Sequence, residues 1–404
     1  MKVVVIGNNA AGTTAAKGIR DADVEAEIHV FTDEIVPYYA RPRLIDYIAG
    51  TVDDSGLLFY QMDWYEKNGI ALHLDSKVEQ IDAAGKRVFA YGEWHSYDKL
   101  VLATGSRAFL PPFEGLPKDN VFTLRTLEDA RDIKEAAKEA SKAVVIGGGL
   151  LGLETARALA AGYPDIRVTI LEYAEHLLMR QLDHQGAEIL QDLIRGMGTE
   201  VITKAETQEL VGDGTASAVR LRDGRALECD MVVVSAGARA DLTLAKAAGI
   251  QTNRGIVVDS SLLTSAEDVY AIGDVAEFEG RMWGMIPPAL DMARAVVKKV
   301  LGIESPSYQG TIPSNTLKVV GVDLTSIGTV RSEHELEDAG FEEIRAISED
   351  RAVYKKFVIK DDRMIGAILL GSKQEAAKVT KMIKDGASVA GIKDRLGDPG
   401  YDFD

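Results

Sequence analysis

The order of apolar and polar residues along this chain repeats one pattern of elements twice. An apolar run at residues 3–6 and another at 143–146 each lead into a glycine-containing turn, "GNNAAG" and "GGGLLG", and then into a helical pattern. A second apolar run follows at 28–32 and again at 168–172, so the repeat keeps an offset of 140 residues. Both copies later reach a run that ends in a glycine turn, "LVLATGSR" and "VVVSAGAR". We therefore predict two copies of a nucleotide-binding α/β unit.

The segments after the second copy predict how the domains are connected. The stretch "DVYAIGDVAE" at 268–277 is strand-like and the run at about 289–301 is helical, and neither has a counterpart in the middle unit. We expect both to return to the first domain, so that the second domain is inserted in the first. From about residue 311 the pattern changes to strands joined by turns, with "DDR" marking a hairpin, and to an amphipathic helix that ends at Gly386.

The predicted fold class is α/β. It comprises two Rossmann-like dinucleotide-binding domains, the second inserted in the first, and a C-terminal α+β domain. The first domain is predicted at residues 1–108 and 240–310, the second at 109–239 and the third at 311–404. The stretch "TLED" at 126–129 predicts a helix-capping box, to which we assign no chemistry.

Composition and charge narrow the classes of partner. The chain has 404 residues, is 46% apolar and carries a net charge of −17, which argues against general nucleic-acid binding because that requires a basic face. No apolar run approaches the roughly 18 residues that a membrane helix needs. With no signal-peptide pattern at the start, we expect a cytoplasmic protein without membrane contact. Cys229 is the single cysteine and the histidines show no ligand spacing, so no metal site, Fe–S cluster or internal disulfide is expected.

The second glycine loop carries a complete G-x-G-x-x-G pattern at Gly147, Gly149 and Gly152. These glycines permit a tight turn, close approach of backbone to a pyrophosphate, and close packing of helix on strand, with the helix N-terminus facing the anion. Glu172 ends the next strand, where its carboxylate can accept a hydrogen bond from a ribose 2′-OH and repel a 2′-phosphate. The alternative is a strand-end glutamate in water.

The first glycine loop keeps Gly7 and Gly12 but has Asn9 at the middle position. Asparagine tolerates unusual backbone angles better than most residues, and its side chain can donate to a phosphate. The matching strand ends at Thr32 rather than at an acid, with Asp33 one residue further on. Read alone, this copy is either a looser nucleotide site or a structural unit without a ligand. The aspartate in "YAIGDVAE" favours a ligand site, and an ordinary turn acid is the alternative reading of that residue.

Together the motifs "VIGNNAAG", "LVLATGSR", "VVIGGGLLGLE", "VVVSAGAR" and "VYAIGD" resemble the flavoproteins with two dinucleotide-binding domains, which include the pyridine nucleotide–disulfide oxidoreductases. The resemblance covers the whole chain and implies FAD at the first loop and NAD at the second, with NADH preferred over NADPH. It implies that Asp274 binds the ribityl or phosphate region of FAD and that Glu154 lies near the nicotinamide. The inferred cofactor-binding residues are Gly7, Asn9, Ala11, Gly12, Asp33, Arg41, Arg43, Ala103, Thr104, Gly105, Gly147, Gly149, Leu150, Leu151, Gly152, Glu154, Glu172, Gly237, Gly273 and Asp274.

The stretch "PYYARPRLIDYIAG" at 37–50 indicates the subfamily. Disulfide reductases of the family carry a redox cysteine near this part of the chain, and here there is none. The pattern instead looks like NADH:rubredoxin oxidoreductases and the flavin domain of NAD(P)H nitrite reductases, and the C-terminal segment is similar to the same groups. By this resemblance Arg41 and Arg43 would contact the FAD phosphates and Pro42 would pack beside the flavin, which makes Pro42 and Glu154 the catalytic candidates. A surface role is the alternative for both arginines.

The resemblance implies an FAD-dependent NADH oxidoreductase that passes electrons to a small iron protein of the rubredoxin or ferredoxin type. Two alternatives stay open: an NADH-input flavin subunit of a larger Fe–S or metalloenzyme complex, and a non-catalytic nucleotide-binding protein. We expect a monomer or a homodimer. Because the chain is acidic, an acidic carrier needs a local basic patch, and Lys355 and Lys356, with Arg41 and Arg43, are the candidates.

Overall fold

The computed structural model describes residues 1–311, 314–330, 340–348, 350 and 353–403. Backbone contacts divide the chain into two compact units. The first unit consists of Met1–Tyr47, Val52–Phe109 and Ala238–Thr311, and the second consists of Ile48–Thr51, Leu110–Gly237 and Ile312–Asp404. The second unit therefore combines the middle and the C-terminal segments, and the three-domain boundaries given above remain our proposal.

The first unit is built on a five-stranded parallel sheet. Its central strand is fully buried at Val3, Val4 and Val5, as expected when both faces of a parallel sheet are covered. The segment after the second copy does return here, because its strand Val269–Ala271 pairs with Lys99–Leu102. The strand order is Val269–Ala271, Lys99–Leu102, Lys2–Ile6, Glu27–Phe31 and Ile70–His73.

Smaller strand pairs and helices complete the first unit. An antiparallel sheet contains Gln80–Asp82, Arg87–Ala90 and Glu93–Ser96, and two further pairs join Ser106–Ala108 to Ala238–Ala240 and Ile256–Val258 to Ala276–Phe278. The α-helices are Ala10–Ala22, Leu44–Ile48 (of which Leu44–Tyr47 belong to this unit), Asp54–Leu57, Met62–Lys67, Thr243–Ala247 and Ile286–Val300, and the 3₁₀ turns are Arg41–Arg43 and Gly273–Val275.

The last helix of the first unit packs on the first one. It spans Ile286–Val300 and so begins earlier than the predicted 289–301, because proline residues occupy its first turn, where a missing N–H costs nothing. A Cβ atom built on Gly18 would lie 2.7 Å from Cγ2 of Val297, so a glycine permits the close approach of the two helices.

The second unit repeats four strands of the parallel sheet in the same order and register, but its outer strand Val121–Thr123 precedes them in the chain, whereas Val269–Ala271 follows them in the first unit. Ile146 pairs with Leu171 and Val234, as Ile6 pairs with Phe31 and Leu102 in the first unit. The strand order is Val121–Thr123, Met231–Val234, Lys142–Ile146, Arg167–Leu171 and Glu200–Ile202. The antiparallel strands are Thr207–Val211, Ala218–Leu221 and Ala226–Glu228, and the helices are Leu127–Ala137, Leu150–Gly162 and His184–Gly196. The capping box of Thr126 and Asp129 forms as predicted. The predicted α/β fold with two Rossmann-like domains is confirmed.

In its described residues, the C-terminal part of the second unit comprises an antiparallel sheet and the α-helix Ala376–Asp385. Asp361 and Asp362 turn the predicted hairpin with φ of 50° and 55°, the angles that a tight hairpin turn requires. The helix Ala376–Asp385 ends as predicted, with Gly386 as its left-handed C-cap at φ 60°. The strand order is Ser314–Val319, Val322–Gly328, Arg363–Leu370, Tyr354–Lys360 and Glu342–Ile347, and a 3₁₀ turn spans Lys393–Arg395.

Lys355 and Lys356 do not form the basic surface that we expected. Their side chains are 2% and 0% exposed, because both faces of the strand Tyr354–Lys360 are covered. Lys355 Nζ lies 2.6 Å from a carboxylate oxygen of Glu375, and Lys356 Nζ lies 2.7 Å from one of Glu343. The docking role that we assigned to these lysines is therefore wrong.

The ammonium group of Lys356 belongs to a buried ionic cluster. It lies 3.3 Å from Asp183, which caps the helix His184–Gly196 through the N–H of Gly186 and accepts a 2.6 Å hydrogen bond from the hydroxyl of Tyr354. Burial raises the pKa of Asp183, but the hydrogen bonds from Tyr354 and Gly186 and the charge of Lys356 more than offset burial and hold that pKa below its ordinary value. The cluster therefore joins the C-terminal sheet to a helix of the nucleotide-binding segment through ionised groups.

We expect Lys356→Met to lower the free energy of unfolding by about 1.5–3 kcal/mol, because it removes one of the two cations, Lys356 and Arg345, that pair with the carboxylates of Asp183 and Glu343. Chemical denaturation measures this. The matched control is Lys381→Met, in which an exposed lysine that pairs with Asp385 on the helix surface is replaced, and stability should be nearly unchanged. Equal effects of the two substitutions would contradict the buried cluster.

Candidate functional site

Both copies of the glycine loop turn sharply where the first strand of their sheet ends. Gly7 has φ of 114° and Gly147 has φ of 124°, which disfavour any residue with a side chain. A Cβ atom would lie 2.1 Å from the carbonyl oxygen of Ala103 in the first copy and 2.3 Å from that of Ser235 in the second. Glycine is thus required at both positions for two independent reasons.

The third glycine of each loop lets the helix cross directly over this turn. A Cβ atom on Gly12 would lie 1.9 Å from the carbonyl oxygen of Gly7, and one on Gly152 would lie 1.9 Å from that of Gly147. The close approach brings the first turn of each helix to the carboxyl end of the parallel strands, where α/β sheets bind ligands.

The second loop leaves its helix N-terminus open to an anion. Gly149 is the N-cap of Leu150–Gly162 and supplies no side chain to the first amides of this helix. No described protein atom lies within 4 Å of a Cβ built on Gly149, and the neighbouring Leu151 is 41% exposed. Open space beside unpaired backbone N–H groups fits a pyrophosphate.

Glu172 is held at this second loop by backbone hydrogen bonds. Its carboxylate accepts 2.6 Å hydrogen bonds from the N–H groups of Gly148 and Ala174. A Cβ atom on Gly148 would lie 2.5 Å from Cδ2 of Leu177 and 2.9 Å from Oε2 of Glu172, so the two side chains favour a glycine there. Gly148 is not among the residues predicted from the sequence, although the run of three glycines is a signal for it. The ribose-binding role of Glu172 remains a prediction.

Asn9 in the first loop is used differently from our expectation. Its backbone is extended, with φ of −137°, so unusual angles are not the reason for the residue. Its Oδ1 accepts hydrogen bonds from the N–H groups of Ala11 and Gly12, and its Nδ2 donates a 2.6 Å hydrogen bond to the carbonyl oxygen of Ala103. The side chain caps the helix and joins it to a neighbouring strand end, so its amide is already engaged within the protein.

A cavity of about 320 Å³ opens at the first loop. Asp33 is exposed on its wall, while Thr32 is buried and accepts a hydrogen bond from the N–H of Glu34. Arg41 also lies on this wall, where its guanidinium pairs with Glu34 at 2.9 Å. The lining includes Gly7, Asn8, Asn9, Thr32, Asp33, Glu34, Arg41, Lys77, Thr104, Arg107 and Asp241.

The turn at Gly273 and Asp274 adjoins the start of the first helix. Gly273 has φ of 74°, and a Cβ atom there would lie 3.1 Å from Cβ of Ala11. Asp274 accepts a 3.2 Å hydrogen bond from the hydroxyl of Ser106. The glycine after Ala103 and Thr104, Gly105, likewise has a positive φ of 72°. The structure therefore brings most of the predicted residues of the first copy to one end of its sheet.

Other predicted residues lie elsewhere or have other partners. Pro42 and Arg43 are exposed, and Arg43 donates to the carbonyl oxygen of Gly56 and is not part of the cavity lining. Glu154 accepts hydrogen bonds from Arg157 and from the backbone N–H of Val320, the latter at 2.6 Å. The solvent-facing alternative for Glu154 is wrong, since its side chain is 14% exposed, and its nicotinamide role stays a prediction.

Gly237 lies in the turn after a strand of the second parallel sheet. It follows the strand Met231–Val234 with φ of 101°, and no described protein atom lies within 4 Å of a Cβ built on it. The glycine therefore leaves space at the same carboxyl end of the sheet as Gly149.

Cys229 is a buried thiol between two strands. It is 4% exposed, and burial together with the neighbouring carboxylate of Asp230 raises its pKa to about 11. At neutral pH it is therefore protonated and a poor nucleophile. Its burial and raised pKa distinguish Cys229 from a redox-active cysteine.

The described part of the chain contains no group of three or more His, Cys, Asp or Glu residues placed to hold a metal ion. In the same part of the chain, every helix is too short or too polar to cross a membrane.

Two family profiles match this chain, one over its first three quarters and one near its C-terminal end. A profile of the family described as "Pyridine nucleotide-disulphide oxidoreductase" matches residues 1–295. A profile described as "Rubredoxin NAD+ reductase C-terminal domain" matches residues 313–387. The two profiles follow the chain in the order that the sequence motifs indicated.

Individual relatives cover nearly all of this chain. A Bacillus subtilis (strain 168) protein named nitrite reductase [NAD(P)H] is 34% identical over 96% of the chain, which spans 48% of that protein. The NADH-rubredoxin oxidoreductase of Clostridium acetobutylicum is 31% identical, with 97% of this chain and 96% of that protein aligned. The solved covalent complex of putidaredoxin reductase and putidaredoxin superposes with a TM-score of 0.87 at 27% identity, covering 98% and 95% of the two chains. The chain thus spans about half the length of the first of these relatives.

Substitution of two glycines in the second loop should have different effects on NADH binding and on the stability of the fold. Gly149→Ala places a methyl group in open space and should leave the free energy of unfolding unchanged, while it weakens NADH binding by about 5- to 150-fold through a clash with the ligand. Gly152→Ala places the methyl group against the carbonyl of Gly147 and should lower the free energy of unfolding itself. NADH titration and urea denaturation of both variants measure these effects. Unchanged NADH binding by Gly149→Ala would contradict the prediction that the pyrophosphate binds at this loop.

Proposed function

The chain belongs to the pyridine nucleotide–disulphide oxidoreductase family, and we propose that it is an FAD-dependent NADH oxidoreductase that reduces a small iron protein of the rubredoxin or ferredoxin type. The observation that carries this proposal is the pair of glycine loops with one geometry and register in two parallel sheets. Each loop would bind one dinucleotide, so that one chain binds two.

The family binds FAD and NAD(H), as the sequence analysis expected. We assign FAD to the first loop and NADH to the second. When bound, these cofactors would supply the redox chemistry, namely hydride acceptance from NADH and release of single electrons to an iron centre. The protein supplies binding, orientation and electrostatics.

The residues of the second unit select the nicotinamide cofactor in this proposal. The uncapped amides after Gly149 bind the pyrophosphate, and the carboxylate of Glu172 accepts a hydrogen bond from the 2′-OH of the adenosine ribose. The same carboxylate repels a 2′-phosphate, so NADH is favoured over NADPH.

The residues of the first unit hold FAD at the cavity beside Gly7. The turn at Asp274 adjoins the helix start, and Arg41 contributes positive charge that Glu34 partly balances. No step of the reaction requires a nucleophile or a general base from this chain. The buried, protonated Cys229 is accordingly given no catalytic role.

The absence of a second cysteine supports a one-electron acceptor. A dithiol relay needs two thiols, and the sequence contains one cysteine. The Clostridium relative whose name includes rubredoxin aligns over almost its whole length, which supports a free-standing reductase of this kind. The acceptor is therefore proposed to be a protein whose iron centre takes electrons from the flavin.

A second candidate is the NADH-input flavin part of a larger redox complex. The observation that favours it is the nitrite reductase relative, of which the chain spans 48%. Purification from the native source distinguishes the candidates, since a stable complex copurifies and a free carrier does not. A non-catalytic protein is the third reading, and flavin content together with NADH turnover would exclude it.

Glu172→Gln should narrow the preference for NADH over NADPH. We expect the unmodified protein to prefer NADH by about 10- to 150-fold, the range for a hydrogen bond to a charged group. The variant keeps the shape of the side chain but loses the charge that repels a 2′-phosphate. Values of kcat/KM for both nucleotides measure the preference, and Glu175→Ala, which removes a nearby exposed carboxylate, serves as the control. Equal kcat/KM values of the unmodified protein for NADH and NADPH would contradict the role of Glu172 in nucleotide selection.

Cys229→Ser should leave NADH-dependent reduction of rubredoxin or ferredoxin unchanged. The reason is that a thiol with a pKa of about 11 is protonated and buried at the pH of the assay. Steady-state rates are measured with rubredoxin, ferredoxin and a disulfide substrate, for the unmodified protein and for Cys229→Ser. Reduction of the disulfide that is lost in Cys229→Ser would show a thiol mechanism instead.

A further inference from the structure

The two glycine loops differ at the position directly after the first glycine. In the second loop this residue is Gly148, and Leu177 and Glu172 together leave no room for a side chain there. In the first loop the residue is Asn8, and the strand-end residue at the position of Glu172 is the shorter Thr32. The loss of the acid therefore coincides with the gain of an amide side chain on the loop.

The side chain of Asn8 is held in one orientation by two hydroxyl groups. Its Oδ1 accepts a 2.8 Å hydrogen bond from Tyr65 and a 3.0 Å hydrogen bond from Thr13. Both of these residues are buried, at 1% and 2% exposure. With Oδ1 accepting from both hydroxyl groups, the amide nitrogen lies at the other end of the group.

The amide nitrogen of Asn8 has no hydrogen-bond partner among the residues that the structure describes. The residue is 9% exposed and belongs to the lining of the cavity at the first loop. An unpaired buried N–H group is costly, so each such group calls for a specific reason. A ligand in the cavity that accepts a hydrogen bond is such a reason.

The first helix also offers fewer free amides than its counterpart. The N–H groups of Ala11 and Gly12 are bonded to Oδ1 of Asn9, whereas Gly149 caps its helix without a side chain. An anion at the first loop therefore needs donors from elsewhere. Asn8 supplies two N–H groups at the same loop.

We propose that Nδ2 of Asn8 donates a hydrogen bond to a pyrophosphate oxygen of FAD, and that Tyr65 and Thr13 position the amide for this bond. The inference rests on the proposed placement of FAD in the cavity of the first unit. It makes Asn8 a cofactor-binding residue that compensates for the amides occupied by Asn9.

The choice of acceptor has a clear experimental consequence. Asn8→Asp keeps the size of the side chain and an oxygen that accepts from Tyr65 and Thr13, but it replaces the donor by a negative charge. A phosphate oxygen is repelled by that charge. A ribose hydroxyl can donate to it, as we propose for Glu172 in the second copy, and binding is then retained.

The experiment compares FAD binding by the apoproteins of the unmodified chain, Asn8→Ala and Asn8→Asp. Quenching of flavin fluorescence gives the dissociation constant, and the ³¹P chemical shifts of bound FAD report the surroundings of the pyrophosphate. Asn68→Asp is the matched control, since it makes the same chemical change in the first unit at a residue outside the cavity lining. Circular dichroism verifies that each apoprotein is folded.

Asn8→Ala should raise the dissociation constant by about 10- to 150-fold, the value of a hydrogen bond to a charged group. Asn8→Asp should raise it further and shift a ³¹P resonance, while Asn68→Asp should change neither quantity. Wild-type affinity or better in Asn8→Asp overturns the inference, and so does an unchanged ³¹P spectrum in both Asn8 variants. Failure of the unmodified apoprotein to bind FAD would instead contradict the proposed function.

Discussion

The close crossing of a helix over the end of a strand is the constraint on which both nucleotide-binding segments depend. In each unit the helix after the glycine loop begins so near the strand end that a methyl group on Gly12 or Gly152 would overlap a backbone carbonyl at 1.9 Å. This distance directs the backbone N–H groups of the helix toward the carboxyl end of a parallel sheet. An anion bound there gains those hydrogen bonds without any charged side chain.

The two copies use this common frame in different ways. The second copy leaves its helix amides free and holds Glu172 against the loop by two backbone hydrogen bonds. The first copy occupies two helix amides with Asn9 and has a buried asparagine where the second has glycine. The strand-end residue also differs, being Thr32 in the first copy and Glu172 in the second. The two sites therefore differ at several positions within one common backbone frame.

The C-terminal sheet is tied to the nucleotide-binding segment by buried polar groups. Lys356 and Tyr354 contact Asp183, and the N–H of Val320 donates to Glu154 on the helix that follows the second loop. Ionic groups without water strongly favour one arrangement, because any shift leaves a buried charge without its partner. The segment matched to the rubredoxin reductase C-terminal domain is thus joined to the same helix that begins at the proposed NADH site.

The sequence alone determined the fold class, the glycine positions and the order of the elements, because these depend on local periodicity and on steric limits within a few residues. It also placed Glu172 at the end of its strand and the end of the last helix at Gly386. Only the tertiary structure decided the environment of Lys355 and Lys356, since burial depends on what covers the strand. It likewise decided the orientation of Asn8, whose partner Tyr65 is 57 residues away, and the bond of Glu154 to Val320, 166 residues away. No local pattern encodes such contacts, because they exist only once separate segments have packed together.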